Sequence, residues 1–168
     1  MLGPHELTRR SFVIMQQWDE DEARRLVHPE FFNHEAEAEP PAARVPGVAA
    51  VKGTYDWLHS THSDLTFEVL DVVADGGLGM ARVIMRGRQT GPFVVYDASG
   101  AVDRVFAPTG RSFEQTQMHL YRFKDGLVVE HWANRDDLGL AAQLGWIPPS
   151  PAFVLRGALI KRRLRSAA

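Results

Sequence analysis

The sequence predicts an α+β fold, with helices near the N-terminus and a run of antiparallel strands after them. Apolar residues recur at three- and four-residue steps between positions 7 and 18, which is typical of one buried helix face. From about position 65 onward, many stretches alternate apolar and polar residues, and glycine-containing turn signals separate several of them. Helices that precede a continuous run of strands indicate this segregated architecture.

The elements can be justified in chain order. The helix through Trp18 is followed by a short helix that ends before His28-Pro29, and residues 48–59 predict a third helix. Residues 35–46 are rich in alanine, glutamate and proline, and they predict a loop. The strands are predicted, in order, at residues 65–74, 78–88, 93–96, 112–123 and 127–133.

Composition narrows the class of protein. The 168 residues correspond to one domain, and the formal net charge of -2 provides no basic field that would attract nucleic acid. The absence of cysteine excludes disulfides, thiolate nucleophiles and cysteine metal sites, and it suits a reducing compartment. Because no apolar run approaches the ~20 residues of a membrane span and residues 1–19 lack a signal-peptide layout, we expect a cytoplasmic protein without membrane contact.

The C-terminal segment differs in charge from the rest. We assign residues 1–149 to a single α+β domain and residues 150–168 to a basic C-terminal tail or helix, since no acidic residue follows Asp137. A helix that starts after Pro151 would have an apolar face, which favours packing on the domain or on a neighbouring subunit. Contact with a membrane surface or an anionic partner is the less favoured alternative.

The hairpin around Asp125-Gly126 carries two histidines. A three-residue loop with Gly126 in the left-handed region would pair His119 with His131 across the strands, and we favour this register. A two-residue loop would pair His119 with Trp132 instead. In the favoured register both histidines point to the same face of the sheet.

The C-terminal half resembles a known family. The residues that carry the resemblance are Glu130-His131-Trp132, Asp136, Leu138-Gly139-Leu140 and Gln143-Leu144-Gly145, with weaker matches upstream such as Pro29 to His34 and Pro108 to Phe113. They resemble the SnoaL-like polyketide cyclase family, part of the nuclear-transport-factor-2-like superfamily. The resemblance covers most of the chain to about Pro149. It implies a cone-shaped, curved antiparallel sheet that encloses an apolar pocket with the N-terminal helices.

The resemblance also implies a chemistry, with one gap. Cyclases of this family close a ring by an intramolecular aldol reaction and need no metal or organic cofactor. Their acid–base aspartate falls on Ala133 in this sequence, whereas His119 matches the assisting histidine. Alanine cannot transfer a proton, so His119 and His131 become the candidate catalytic residues. His59 and His62 have a helical spacing, but no carboxylate pattern completes a metal site around them.

The expected ligand is a hydrophobic or aromatic small molecule. Strand alternation places several polar residues on the face of His119, and residues near the early helices complete the expected pocket. The candidate substrate-binding residues are Tyr121, Gln117, Gln115, His34, Trp18 and Phe32. We expect a homodimer through the outer face of the sheet, because Val128 and Trp132 would face away from the pocket, with the segment near Phe153 as a possible addition.

These observations favour a cofactor-independent acid–base enzyme of polyketide-like natural-product metabolism, of the cyclase or isomerase type. Ala133 keeps two alternatives open. One is a SnoaL-like accessory or hydroxylase-type protein, and the other is a non-catalytic protein that binds a small molecule.

Overall fold

The computed structural model describes residues 2–166. Within them the helices are α1 (Pro4–Gln16), α2 (Glu20–Leu26), α3 (Val48–Thr61), α4 (Asp137–Leu144) and α5 (Pro151–Ser166), and 3₁₀ turns lie at Ala36–Ala38 and Pro41–Arg44. The strands are β1 (Val27–Asn33), β2 (His62–Asp75), β3 (Leu78–Gln89), β4 (Phe93–Tyr96), β5 (Val102–Phe106), β6 (Ser112–Lys124) and β7 (Leu127–Arg135). The predicted α+β class is confirmed. None of the described helices is long and apolar enough to cross a bilayer.

The main sheet has the strand order β1-β7-β6-β3-β2, and β4 pairs with β5 in a second, two-stranded sheet. Every pairing is antiparallel except that of β1 with β7, which is parallel. The sequence predicted neither β1 nor β5. Pro29 had argued against a strand here, because proline is tolerated in strands mainly at the edge of a sheet. In the structure β1 is an edge strand of the main sheet.

Two apolar cores lie on the same side of the main sheet. The first joins α1 and α2 to the sheet through Leu7, Leu26 and Val83. The second joins α4 and α5 to the other end through Leu144 and Phe153. The opposite face of the sheet is exposed and carries ion pairs such as Arg86 with both Glu68 and Glu114.

The C-terminal helix α5 packs against β5. A Cβ atom added at Gly157 would lie 2.7 Å from the carbonyl oxygen of Val105, so only glycine permits this approach. The side chains of Lys161 and Arg165 donate to backbone carbonyls of β5. Phe153 itself is buried in the second core, so it is not available to a dimer interface, and the part of the remaining tail in such an interface stays a prediction.

The β6–β7 hairpin has neither of the two predicted registers. Asp125 and Gly126 both have positive φ (54° and 76°), which gives the two-residue turn that matches the twist of the strands. Arg122 pairs with Glu130 but Phe123 pairs with Val128, so Val129 is an extra residue that forms a bulge.

The bulge determines which residues face inward. Tyr121 lies opposite His131, and His119 lies opposite Ala133. The two histidines still share the inner face, because the bulge restores the alternation that the shorter turn had shifted. Val128 also points inward and is only 2% exposed, so the prediction that it faces away from the pocket is wrong. Trp132 faces outward, and the homodimer stays a prediction.

Candidate active site

A cavity of about 500 Å³ lies between the main sheet, α1, α3 and the β4–β5 hairpin. Most of its lining is apolar, contributed by aromatic and aliphatic side chains from all of these elements. Representative members are Phe12, Met15, Val51, Phe67, Phe93 and Trp146. Concave, largely apolar cavities with a few placed polar groups are the usual form of small-molecule sites.

Strand alternation builds a polar wall on this cavity. On β6, the inward positions hold Gln115, Gln117, His119 and Tyr121, and each of these side chains is at least nine-tenths buried. On β7, the bulge brings His131 to the same wall. The five predicted residues on these two strands therefore line one cavity. This set is called the strand wall below.

A chain of hydrogen-bond contacts runs along the strand wall. It begins at Asn33, which ends β1, and finishes at Asp137, the first residue of α4. Its contacts are His131 Nδ1 to Asn33 Oδ1 (2.9 Å), His119 Nδ1 to His131 Nε2 (2.9 Å), His119 Nε2 to Gln117 Oε1 (2.8 Å), Gln117 Nε2 to Gln115 Oε1 (2.8 Å) and Gln115 Nε2 to Asp137 Oδ1 (2.9 Å).

Both ends of this chain are hydrogen-bond acceptors. Asn33 Oδ1 already accepts from the backbone N–H of Glu35, and Asp137 Oδ1 belongs to a carboxylate. Four side chains lie between the ends, and each neutral histidine or glutamine supplies one proton to the chain. Since five contacts join these groups, one contact has no proton. With both amides donating toward Asp137, the unfilled contact is one of the three that involve a histidine, and it is His119 Nε2 to Gln117 Oε1 when both imidazoles carry their proton on Nδ1.

Burial keeps the two histidines neutral. Desolvation, and secondarily the nearby His131 and Arg135, hold the pKa of His119 well below its usual range. Desolvation lowers the pKa of His131 to about 3, with smaller contributions from Arg135 and His34. Burial also raises the pKa of Tyr121, so its hydroxyl stays protonated. When its proton is on Nδ1, His119 Nε2 carries a lone pair, and a proton bound there would complete the contact with Gln117 Oε1.

Packing fixes the orientation of His119. The ring of Phe12 meets the imidazole edge-on, with ring centroids 4.9 Å apart. The ring of His131 lies beside it, with centroids 5.2 Å apart. Tyr121 stacks in turn on His131 at 5.0 Å. The proton-accepting nitrogen is thus held on a rigid strand, which favours precise positioning of a catalytic group.

Three predicted substrate-binding residues do not line the cavity. Phe32 is 52% exposed, because β1 turns Phe31 and Asn33 inward and Phe32 outward. His34 stacks on Trp132 at 4.2 Å and contacts Glu130, both on the outer side. The sequence had no signal that residues 27–33 form a strand, so it could not assign these faces.

Trp18 also lies outside the lining. It packs against Tyr55 of α3 with ring centroids 5.6 Å apart, and Lys52 lies over its ring. Trp18 therefore packs the connection between α1 and α2 against α3, beside the first core.

The segment after β1 contributes polar groups that the sequence analysis missed. Glu35 Oε1 accepts from the backbone N–H of Ala133 at 3.0 Å, and its other oxygen lies 3.5 Å from the Arg135 guanidinium. Glu39 is 2% exposed and accepts from the Thr54 hydroxyl at 2.5 Å. Both glutamates line the cavity. We call Asn33, Glu35 and Glu39 the segment wall.

Burial gives Glu39 an unusual titration. Desolvation raises its pKa to about 7, although the Thr54 hydroxyl, Arg135 and Asn33 oppose the rise and Glu35 adds to it. A carboxyl group that is half protonated near neutral pH can donate or accept a proton. The only sequence signal for it was the three alternating glutamates at positions 35, 37 and 39 in the loop predicted at residues 35–46, and that pattern does not indicate which of them face inward.

His62 is a polar residue in another part of the cavity lining. Its Nδ1 donates to the carbonyl oxygen of Leu58 at 3.1 Å, and burial lowers its pKa to about 4, so Nε2 is an unprotonated acceptor. Within residues 2–166, Nε2 is the one buried side-chain nitrogen or oxygen without a hydrogen-bond partner. The same residues contain no group of three or more histidine, aspartate or glutamate side chains arranged to hold a metal ion.

The fold is similar to that of a solved NTF2-like protein from Burkholderia thailandensis, and the family follows from comparison with a family model. A model of the SnoaL-like polyketide cyclase family matches residues 6–144. The chain belongs to this family. Asp136, which the resemblance marked, caps α4 by accepting from the N–H of Gly139 at 2.9 Å.

Characterised relatives and solved structures are similar along most of the chain. The chain is 29% identical over 147 residues to aklanonic acid methyl ester cyclase DnrD of Streptomyces peucetius. The aligned region covers 87% of this chain and 93% of DnrD. The structure of TsrD from Streptomyces laurentii has a TM-score of 0.66 and 26% identity over 83% of this chain and 92% of TsrD. The structure of IdmH from Streptomyces antibioticus has a TM-score of 0.64 and 26% identity over 86% of this chain and 99% of IdmH.

Proposed function

We propose that this protein is a cofactor-independent acid–base enzyme that closes or isomerises a polyketide-like substrate. The observation that carries the proposal is the buried chain of contacts through His119, which lines the cavity and has one proton fewer than it has contacts. With its proton on Nδ1, His119 keeps an Nε2 lone pair that faces an acceptor on Gln117, so it is a base whose protonated form gains a hydrogen bond. The 500 Å³ cavity suits a bulky, largely apolar substrate.

The proposed step balances without a cofactor. His119 Nε2 takes a proton from a carbon next to a substrate carbonyl, and the electron pair of that C–H bond becomes an enolate. The enolate carbon forms a bond to a second carbonyl carbon of the same substrate. The π pair of that second carbonyl becomes an alkoxide, which then takes a proton from an acid in the site. Nothing is oxidised or reduced.

The relatives support this reaction class. DnrD carries the name aklanonic acid methyl ester cyclase, and the chain matches nearly all of its length. The departure at Ala133 removes the carboxylate that the family resemblance places there. For this reason the base in our proposal is His119, with His131 as a positioning residue that accepts from His119 Nδ1.

Ala133 also favours a second candidate, a protein that binds such a molecule without transforming it. In that case the buried histidines would serve only as hydrogen-bonding groups in the cavity. The two candidates differ in one property, namely whether His119 changes a rate.

The test uses aklanonic acid methyl ester as the probe. We expect the wild-type protein to cyclise it, and His119→Ala to lower turnover by roughly 100- to 10,000-fold, the usual contribution of one acid–base group. Met118→Ala is the matched control, because Met118 is adjacent on β6 and exposed on the opposite face. Binding of the probe without turnover by the wild-type protein would favour the second candidate, and equal rates for His119→Ala and the control would exclude His119 as the base.

A further inference from the structure

The proposed reaction needs a proton donor as well as a base. The alkoxide formed on ring closure must receive a proton, and Ala133 leaves β7 without the carboxyl group expected there. The segment wall brings two glutamates to the cavity beside that strand. Their surroundings differ, and the difference separates their roles.

Glu35 is held as a paired carboxylate. One oxygen accepts from the Ala133 N–H and the other lies near the Arg135 guanidinium, while the Glu35 backbone N–H donates to Asn33 Oδ1. Each carboxyl oxygen of Glu35 thus already has a hydrogen-bond donor or a cation as its partner. Glu35 therefore fixes Asn33 and, through it, His131, rather than supplying a proton.

Glu39 has the surroundings of a neutral carboxyl group. Its side chain is nearly fully buried, and the partners at its carboxyl oxygens are the uncharged Thr54 hydroxyl and the Asn33 amide. The guanidinium of Arg44 contacts the backbone oxygen of Glu39, at 2.7 Å. The carboxyl group is thus on the cavity wall, near Asn33, and the Asn33 side chain contacts His131, which contacts His119.

We propose that Glu39 is a second catalytic residue, a general acid whose carboxyl group donates its proton to the substrate oxygen that becomes negatively charged on ring closure. This inference rests on the proposed function and extends it. The O–H bond of Glu39 breaks as the substrate O–H bond forms, and the carboxylate left behind keeps the Thr54 and Asn33 hydrogen bonds. The site returns to its starting state when His119 releases to solvent the proton that it took from carbon and Glu39 takes up a proton from solvent.

The titration of Glu39 agrees with this role. Burial raises its pKa to about 7, so the acid form is present at neutral pH. The charged groups that act on it are Arg135 at the end of β7 and Glu35 on its own segment. An enzyme that needs the protonated carboxyl group should lose activity as the pH rises above this pKa.

The first experiment compares Glu39→Gln with Glu37→Gln, using turnover of aklanonic acid methyl ester. Glutamine keeps the shape and the bond to Thr54 but cannot donate as an acid, so we expect a 100- to 10,000-fold lower turnover with unchanged affinity for the probe. Glu37 is exposed on the same segment, and its variant should match the wild-type protein. A Glu39→Gln rate within threefold of the wild-type rate would overturn the role of Glu39 and leave the role of His119 intact.

The second experiment uses Thr54→Val, which keeps Glu39 but removes the hydroxyl that donates to it. Because that bond favours the ionised form, its loss raises the pKa of Glu39, and the alkaline limb of the pH–rate profile should move to higher pH. A purely structural role for Glu39 would leave the limb where it was, which would contradict the proposal even if Glu39→Gln failed to fold. If the wild-type protein neither cyclises the probe nor exchanges its acidic C–H with solvent, the proposed function fails, and this inference fails with it.

Discussion

The two polar walls of the cavity are built by different means. The strand wall is a regular product of alternation on β6 and β7, and it presents nitrogen bases that burial keeps neutral. The segment wall lies where β1 gives way to a 3₁₀ turn, and it presents carboxyl groups, one paired and one protonated near neutral pH. The comparison indicates that carboxyl groups, absent from strand position 133, are present on the neighbouring segment that follows β1.

The two walls should therefore respond oppositely to pH. A buried histidine binds a proton more weakly in the folded state, so it destabilises the fold as the pH falls. A buried carboxyl group binds a proton more tightly in the folded state, so it destabilises the fold as the pH rises. Stability measurements can separate the walls without any substrate.

The larger expected effect comes from His131. Its pKa in the folded protein is about 3, against an ordinary value of 6.5, so its contribution to stability is fully present above pH 6.5 and is lost as the pH falls toward 3. The loss should amount to about 4 kcal/mol over that window. Urea unfolding at several pH values between 6.5 and 3 gives the free energy of unfolding of the wild-type protein and of His131→Gln. The loss is the change with pH in the difference between these two free energies.

His5→Gln is the control for this comparison, because His5 is exposed on α1. It should follow the wild-type curve. If His131→Gln also followed the wild-type slope, His131 would not be a neutral buried group, and the proton count along the strand wall would lose its basis.

A somewhat smaller effect of opposite sign comes from Glu39. Its pKa is raised from 4.5 to about 7, so the folded state holds a proton that the unfolded state has lost, and stability falls as the pH rises from about 4.5 through 7. Glu39→Gln removes this dependence and should be more stable than the wild-type protein at pH 8 by about 3 kcal/mol. Chemical denaturation at pH 5 and pH 8 measures the free energy of unfolding, with Glu37→Gln as the control. A difference between Glu39→Gln and the wild-type protein that is equal at the two pH values would contradict the raised pKa of Glu39.

The sequence predicted the strand wall better than the segment wall for a physical reason. Period-two alternation correctly placed Gln115, Gln117, His119 and Tyr121 on one face of β6, because a regular strand leaves no other arrangement. The bulge at Val129 has no comparable signature, so both predicted registers of the hairpin were wrong, although the shared face of the histidines survived.

The faces of β1 and of the segment after it depend on tertiary contacts. Phe32 and His34 point outward only because residues 27–33 pair with β7, and a single proline masked that strand. Glu35 and Glu39 face inward because the backbone of Ala133 and the hydroxyl of Thr54 are there to meet them. These partners are far away in sequence, and no local pattern indicates them.

The most direct test of the central claim, that His119 is a base, is solvent exchange at carbon. The wild-type protein is mixed with aklanonic acid methyl ester in D₂O, and deuterium incorporation into the unreacted probe and the product is followed by mass spectrometry. The account predicts incorporation at the carbon next to the carbonyl, lowered by at least 100-fold in His119→Ala and unchanged in Met118→Ala. Exchange that is equally fast with His119→Ala would contradict it.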